Sequence, residues 1–296
     1  MNWSGGLAEW EDGDTVFLSV AFTWKLDDAY MRAIFHRARG MKVRAGGPGL
    51  FLAKMKHRLA DVAEVGGDVP DAVRRHNPNA TIASRGCPVG CYFCIVPAME
   101  GRSFTFLPDF PVRPILCDNN LSALPADYQD HIIGRYRSAG VKLTDANSGF
   151  EPITFTQEVY ARWRDLINEG RGPWRFAYDE TAERDDVLRV MRMLTDEPQK
   201  RKRVYVLIGN EPFDDCMARI QEVIDHGCEP HVQPFMKLNA LERKPHPRHD
   251  WNAQLLADVA RWANGWVWKK APFSEYRRSQ KASHAPVYDE RQGLFF

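Results

Sequence analysis

The sequence predicts an α/β fold, a partial (β/α)6 TIM barrel preceded by a small βαβ unit. Three observations carry this expectation. Six β-rich runs recur along the chain, at 80–83, 114–117, 141–144, 175–178, 203–208 and 230–236. Helical stretches at 127–139, 156–168, 185–194 and 212–226 stand between them, each long enough to cross over between parallel strands. Six such units are too few for a closed eight-stranded barrel, so the sheet is expected to curve and stay open at its strand C-terminal ends.

Composition supports a folded chain. Its 296 residues are 44% hydrophobic and 27% charged, ordinary globular values. Residues 1–14 are polar and acidic and lack the basic-then-apolar order of a signal peptide. No apolar run reaches the length of a membrane span, so no membrane partner is expected. Forty basic residues stand against 39 acidic ones, and a net charge of +1 gives no global field that draws the chain to nucleic acid or anionic lipid.

Residues 15–22 form a β-rich apolar run; 27–39 follow with helical spacing at Ala29, Ala33 and Phe35; 41–45 return as a short strand. This first unit, 1–79, resembles a truncated cobalamin-binding domain in shape, but it lacks an Asp-x-His-x-x-Gly signature for a cobalt ligand and cobalamin is not expected. Gly46-Gly47-Pro48-Gly49 lacks the spacing and the Lys-Ser/Thr ending of a phosphate-binding loop and reads as a tight turn. Residues 80–270 hold the barrel-like alternation, and 271–296 form a tail. Trp251, Leu255, Val259, Trp262 and Trp266 recur at spacings of three and four, which reads as one packed helix face.

Between the first barrel strand and its helix lies Ser84-Arg85-Gly86-Cys87-Pro88-Val89-Gly90-Cys91-Tyr92-Phe93-Cys94. It gathers three of the six cysteines at the spacing C-x3-C-x2-C, and its glycines and proline let the backbone curl around a soft metal centre. Cys117, Cys216 and Cys228 are isolated in sequence, which points to a reducing compartment, read as cytoplasm. A structural zinc site is a rival, although His76 and His131 stand well outside the loop and a fourth ligand is not evident. Three cysteines that simply pack in an apolar interior are the remaining alternative.

With the strand-like Ala80-Thr81-Ile82-Ala83 before it and Phe93 ahead of its last cysteine, the loop resembles the cluster loop of the radical S-adenosylmethionine (radical SAM) superfamily. The resemblance spans 80–270, strongest at the three cysteines. It implies a [4Fe-4S] cluster on Cys87, Cys91 and Cys94, with one iron left for S-adenosyl-L-methionine. It also implies reductive cleavage of that cofactor to a 5′-deoxyadenosyl radical that abstracts hydrogen from an organic substrate, with an electron donor such as flavodoxin or ferredoxin.

The resemblance further assigns cofactor or substrate contacts to strand ends. Asp118, Asn119 and Asn120 end the second strand, where the common Gly-Gly-Glu version is absent. Asn147 and Glu151 follow the third strand, in the turn that includes Ser148, and Asp179 ends the fourth. Ile208 and Gly209 on the fifth strand are similar to the family's adenine-contacting segment, with Phe93 expected near the same base. Gln233 and Met236 belong to the sixth strand.

The expected substrate is a modified nucleobase or nucleoside-linked amino acid. Basic and aromatic residues interleave at 266–270 and 273–278, a composition able to stack a base and neutralise a phosphate beside the strand ends. A free small metabolite, a cobalamin-assisted radical methyltransferase and a zinc-stabilised binding module are the alternatives. Catalytic residues beyond the cofactor contacts are not assigned.

Overall fold

In the computed structural model the described residues are 3–67, 69–91, 93–147 and 149–276. Tyr92, Ser148 and the tail from Arg277 onward, with its basic residues Arg278 and Lys281 and its apolar end, lie outside them. Two compact units are present. The first comprises Met1–Arg113 with Lys237–Lys244; the second runs through Pro114–Met236 and resumes at Pro245.

The first unit opens with a hairpin of β1 (Leu7–Asp12) and β2 (Thr15–Val20), joined across Gly13-Asp14 with Gly13 at φ +59°. An Asp-Gly step between apolar runs makes such a turn because glycine accepts the left-handed conformation. Then come α1 (Leu26–Ala38) and β3 (Lys42–Gly46), and β3 pairs parallel with β2, as the βαβ reading requires. After α2 (Pro48–Leu52), β4 (Glu64–Val65) completes a sheet ordered β1-β2-β3-β4. Leu18, Val20, Leu26, Ala29, Ala33, Ala45 and Leu50 pack between sheet and helices.

The glycine turn is explained by packing. A Cβ at Gly47 would stand 2.6 Å from the Val20 carbonyl oxygen, and one at Gly49 would stand 2.8 Å from the Phe22 backbone. Chain crossing chain accounts for these glycines without a phosphate. The unit continues through α3 (Ala72–His76), β5 (Ala80–Thr81), β6 (Ser84–Arg85), α4 (Val96–Met99) and β7 (Thr105–Phe106), with β6 and β7 antiparallel.

The second unit alternates strand and helix. It holds β8 (Ile115–Leu116), α5 (Ala126–Ala139), β9 (Asp145–Ala146), α6 (Gln157–Gly170) and β10 (Trp174–Tyr178). It continues with α7 (Arg184–Met193), β11 (Lys202–Ile208), α8 (Phe213–Asp225), β12 (Glu229–Pro234) and α9 (Ala253–Asn264). β10, β11 and β12 form a parallel sheet, and β8 pairs parallel with β9. No sheet closes into a barrel among the described residues.

The strand expected at 141–144 instead lies at Asp145–Ala146, because Val141 to Thr144 serve as the approach: Gly170 of α6 packs directly onto the Leu143 backbone. One face of the parallel sheet presents Val204, Val206, Ile208 and Val232 to α7, α8 and α9, burying an apolar core that also contains Trp251, Val259 and Trp262. A second aromatic nucleus joins Phe150, Phe155, Trp163, Trp174 and Phe176. Trp163 donates from Nε1 to Gln129 Oε1 at 2.8 Å, pinning α6 to α5. Trp266 departs from the expected stripe: it follows α9 in the left-handed region, φ +54°, and is 51% exposed because the helix has already ended. Among the described residues no helix is long and apolar enough to cross a membrane.

Candidate functional site

The cysteine loop is held at its base by the β6–β7 ladder, Ser84 opposite Phe106 and Arg85 opposite Thr105. Within it, the Cys87 N–H donates to the Gly101 carbonyl at 3.3 Å, and the Gly86 N–H donates to Glu100 Oε2 at 3.0 Å. Glu100 also pairs with Arg85 at 3.0 Å, so a single carboxylate ties both limbs of the loop together. Gly86 takes φ +88°, and a Cβ there would collide with the Ser103 carbonyl at 2.3 Å; glycine is needed for both reasons. A turn closes Cys91 on Cys94, whose N–H reaches the Cys91 carbonyl at 3.1 Å.

Cys87 is buried, and Cys91, Cys94 and Phe93 are half-buried. Among the described residues no group of three His, Cys, Asp or Glu side chains is arranged to hold a metal ion. The donor chemistry nonetheless fits an iron-sulfur cluster: three soft ligands, no histidine or carboxylate within 86–99, and an ordered backbone at both ends of the loop.

The second unit brings several of the strand-end residues together. Asp179 ends β10, and its N–H donates to Glu183 Oε2 at 2.7 Å, with the Glu180 N–H at 3.3 Å from the same oxygen. Glu151, Asp179 and Glu183 act on one another electrostatically. Burial lifts the Glu151 carboxyl to about 7, with the Glu183 and Asp186 charges adding and a backbone hydrogen bond at Ile153 opposing. Burial likewise pushes Asp179 well above the carboxylate range, reinforced by Glu183 and Glu151 and opposed by Arg219. Arg219 is itself fully buried, with bonds to the Tyr178 and Leu207 carbonyls and an ion pair to Glu211 at 3.1 Å. That cation comes from α8 and was not anticipated from sequence.

Other expected contacts separate by strand parity. In the β10-β11-β12 sheet, Arg175, Tyr205 and Gln233 share the face opposite the helices, following the pairings Ala177 with Tyr205 and Leu207 with Gln233; in the separate β8–β9 pair, Ile115 stands beside Asp145, and Cys117 and Asn147 follow two residues on from each. Asn147 is buried; its Nδ2 makes no hydrogen bond of ordinary geometry among the described residues, and its side chain lies against the Cys117 thiol, where it acts to lower that thiol's pKa. Beside it, burial pushes the Cys117 thiol far up, and the charges of Asp118 and Asp145 add to this. Asp145 grips Arg175 through two bonds of 2.7 Å, and Arg175 continues to the Tyr205 hydroxyl. This polar face was missed because Asp145 and Arg175 read as ordinary charged residues until the strands are paired.

Asp118 is buried near Tyr136 of α5, and its charge reinforces the burial that raises the Tyr136 hydroxyl. Asn120 is committed to a turn: its Oδ1 accepts from Ser122 Oγ at 2.8 Å and from the Ala123 N–H at 3.1 Å. Asn119 is half-buried between them. Ile208 packs in the helix-side core, Gly209 follows at φ +87° with its carbonyl accepting from Arg248, and half-buried Met236 stands two residues past β12.

The aromatic and basic segment 266–270 does not flank the strand C-terminal ends. Lys269 is bonded to Glu229 at 3.1 Å, and Glu229 begins β12. α9 has by then carried the chain back along the sheet, so this segment sits at the opposite edge, whereas Phe273 of the second segment packs on Phe213, which begins α8 after the C-terminal end of β11. No family model, no curated protein and no solved structure matches the chain.

Proposed function

We propose that the protein is a radical SAM enzyme, built on a partial barrel whose strands are those of the βα repeats. The observation that carries this reading is the C-x3-C-x2-C loop, with glycine required at Gly86 and no competing ligand type inside it. When bound, the cluster and S-adenosylmethionine supply a reducing electron and a carbon radical able to take hydrogen from an unactivated substrate. Cys87, Cys91 and Cys94 would hold the iron. Pro88 and Gly90 shape the arc, and the Glu100 clasp keeps its two limbs together.

In the second unit, Asn147, Glu151 and Asp179 are the ligand-binding groups. The buried Asn147 amide, beside the Cys117 thiol, is placed to donate to a ligand oxygen. Glu151, held near pH 7, donates as well as accepts, and Asp179 is shifted in the same direction by burial and the neighbouring carboxylates. An acidic electron-transfer protein of the flavodoxin or ferredoxin class is the proposed reductant. The proposed substrate is a small organic molecule, free or nucleoside-linked.

Anaerobic reconstitution tests the reading. The wild type is expected to carry about four irons and four sulfides, lost in Cys87→Ala, Cys91→Ala and Cys94→Ala and kept in Cys216→Ala. Reduced holoprotein is expected to release 5′-deoxyadenosine and methionine. Zinc without sulfide would establish the binding-module alternative instead, and S-adenosylhomocysteine as the sole product would establish methyl transfer.

A further inference from the structure

Gly90 stands between Cys87 and Cys91, and its backbone does not lie in the left-handed region, so conformation alone does not demand glycine there. Space does. A Cβ at Gly90 would lie 2.7 and 2.9 Å from the two terminal nitrogens of Arg102 and 3.1 Å from the guanidinium carbon. The guanidinium is therefore laid against the loop backbone between two of the cysteines.

This cation is uncommitted. Arg102 is exposed and makes no hydrogen bond or ion pair among the described residues. The nearest acidic group in sequence, Glu100, is taken by Arg85 and by the Gly86 N–H. Residues 86–99 contain no charged side chain and no histidine, so no residue of that stretch offsets the thiolate charge. A buried or half-buried set of three thiolates is costly without a compensating cation, and cluster potential depends on the local charge.

We propose that Arg102 is a positioning residue for the cluster: its guanidinium offsets the negative charge of the loaded loop, raises the cluster's reduction potential and slows iron loss, and Gly90 is glycine to admit it. The inference rests on the iron-sulfur reading above. It predicts a charge effect, which a purely structural contact would not produce.

The experiment compares reconstituted wild type, Arg102→Gln, Arg102→Lys and Gly90→Ala. Midpoint potential is followed by electron paramagnetic resonance during redox titration, and iron release is followed with a ferrous-iron chelator. Arg102→Gln and Gly90→Ala are expected to shift the potential to more negative values and to lose iron about 10-fold faster, the scale of outer-shell contributions to metal affinity. Arg102→Lys keeps the charge and is expected to recover most of the potential. The gap between wild type and Arg102→Gln is expected to narrow near 1 M salt, where screening reaches about 3 Å. Wild-type potential and iron release in Arg102→Gln, in a protein whose wild type does carry the cluster, would overturn the role of Arg102. A wild type that takes up no iron and sulfide would overturn the cluster, and this inference with it.

Discussion

Glu151 sits where burial and two neighbouring carboxylates oppose its charge, so its proton is held to about pH 7 against an ordinary 4.5. The unfolded chain releases that proton near 4.5 while the folded chain keeps it, so the fold loses stability as pH rises between those values, on the order of 3 kcal/mol in full. Asp179 and Glu183, also raised, act in the same direction. Glu151→Gln is therefore expected to flatten the decline in urea midpoint between pH 5 and 7.5; an unchanged slope would show that Glu151 is ionised in the fold. His76 works in reverse. Its ring, bonded to Ser19 Oγ at 2.9 Å and to Ser4 Oγ at 2.5 Å, is held neutral by burial down to about pH 4. Its contribution is complete above 6.5 and is lost as pH falls toward 4.

At the level of elements, two glycines with the same helical setting differ in what surrounds them. A Cβ on Gly170, the last residue of α6, would stand 1.6 Å from the Leu143 carbonyl oxygen, so Gly170→Ala must push α6 off the chain that leads into β9. A cost of about 2 kcal/mol or more is expected, with loss of order at Asp145 and Asn147. Gly134, exposed within α5, has nothing within 4 Å of a Cβ. Gly134→Ala is expected to stabilise by about 0.5–1 kcal/mol, since alanine gives up less backbone freedom in a helix. Thermal denaturation of the pair separates packing from propensity; equal shifts would mean α6 does not approach Leu143 as described.

For the molecule as a whole, opposite titrations are placed in different units: His76 in the first, and the Glu151, Asp179 and Glu183 group in the second. Acidification from pH 7 to 5 is expected to weaken the first unit and strengthen the second. Amide exchange, corrected for its intrinsic pH dependence, would then show falling protection in β2 and α3 and rising protection in β10 and α7. Parallel changes in both units would contradict this placement. Residue pairing across strands decides which groups form each set, and composition alone, with a net charge of +1, conceals both.

The sequence by itself determined the alternation. The helices at 26–38, 126–139, 157–170, 184–193 and 213–225 lie within two residues of their expected bounds at either end, because apolar spacing and the punctuating glycines and prolines are local properties. It also delivered the cysteine spacing; Gly46-Gly47-Pro48-Gly49, expected as a tight turn, is instead the junction where β3 ends and α2 begins. The hairpin strand β1 was legible in Asp12-Gly13 but was overlooked, its alternation masked by acidic residues. Tertiary structure decided the rest. The face on which a strand residue stands depends on register, so the Asp145–Arg175–Tyr205 chain became visible only with the strands paired. Which carboxylates keep their protons depends on burial and on neighbours brought from distant segments, as α8 brings Arg219 to Tyr178. The approach of Arg102 to Gly90, twelve positions apart, is of the same kind: a loop must fold back on itself before a glycine's missing side chain has any meaning.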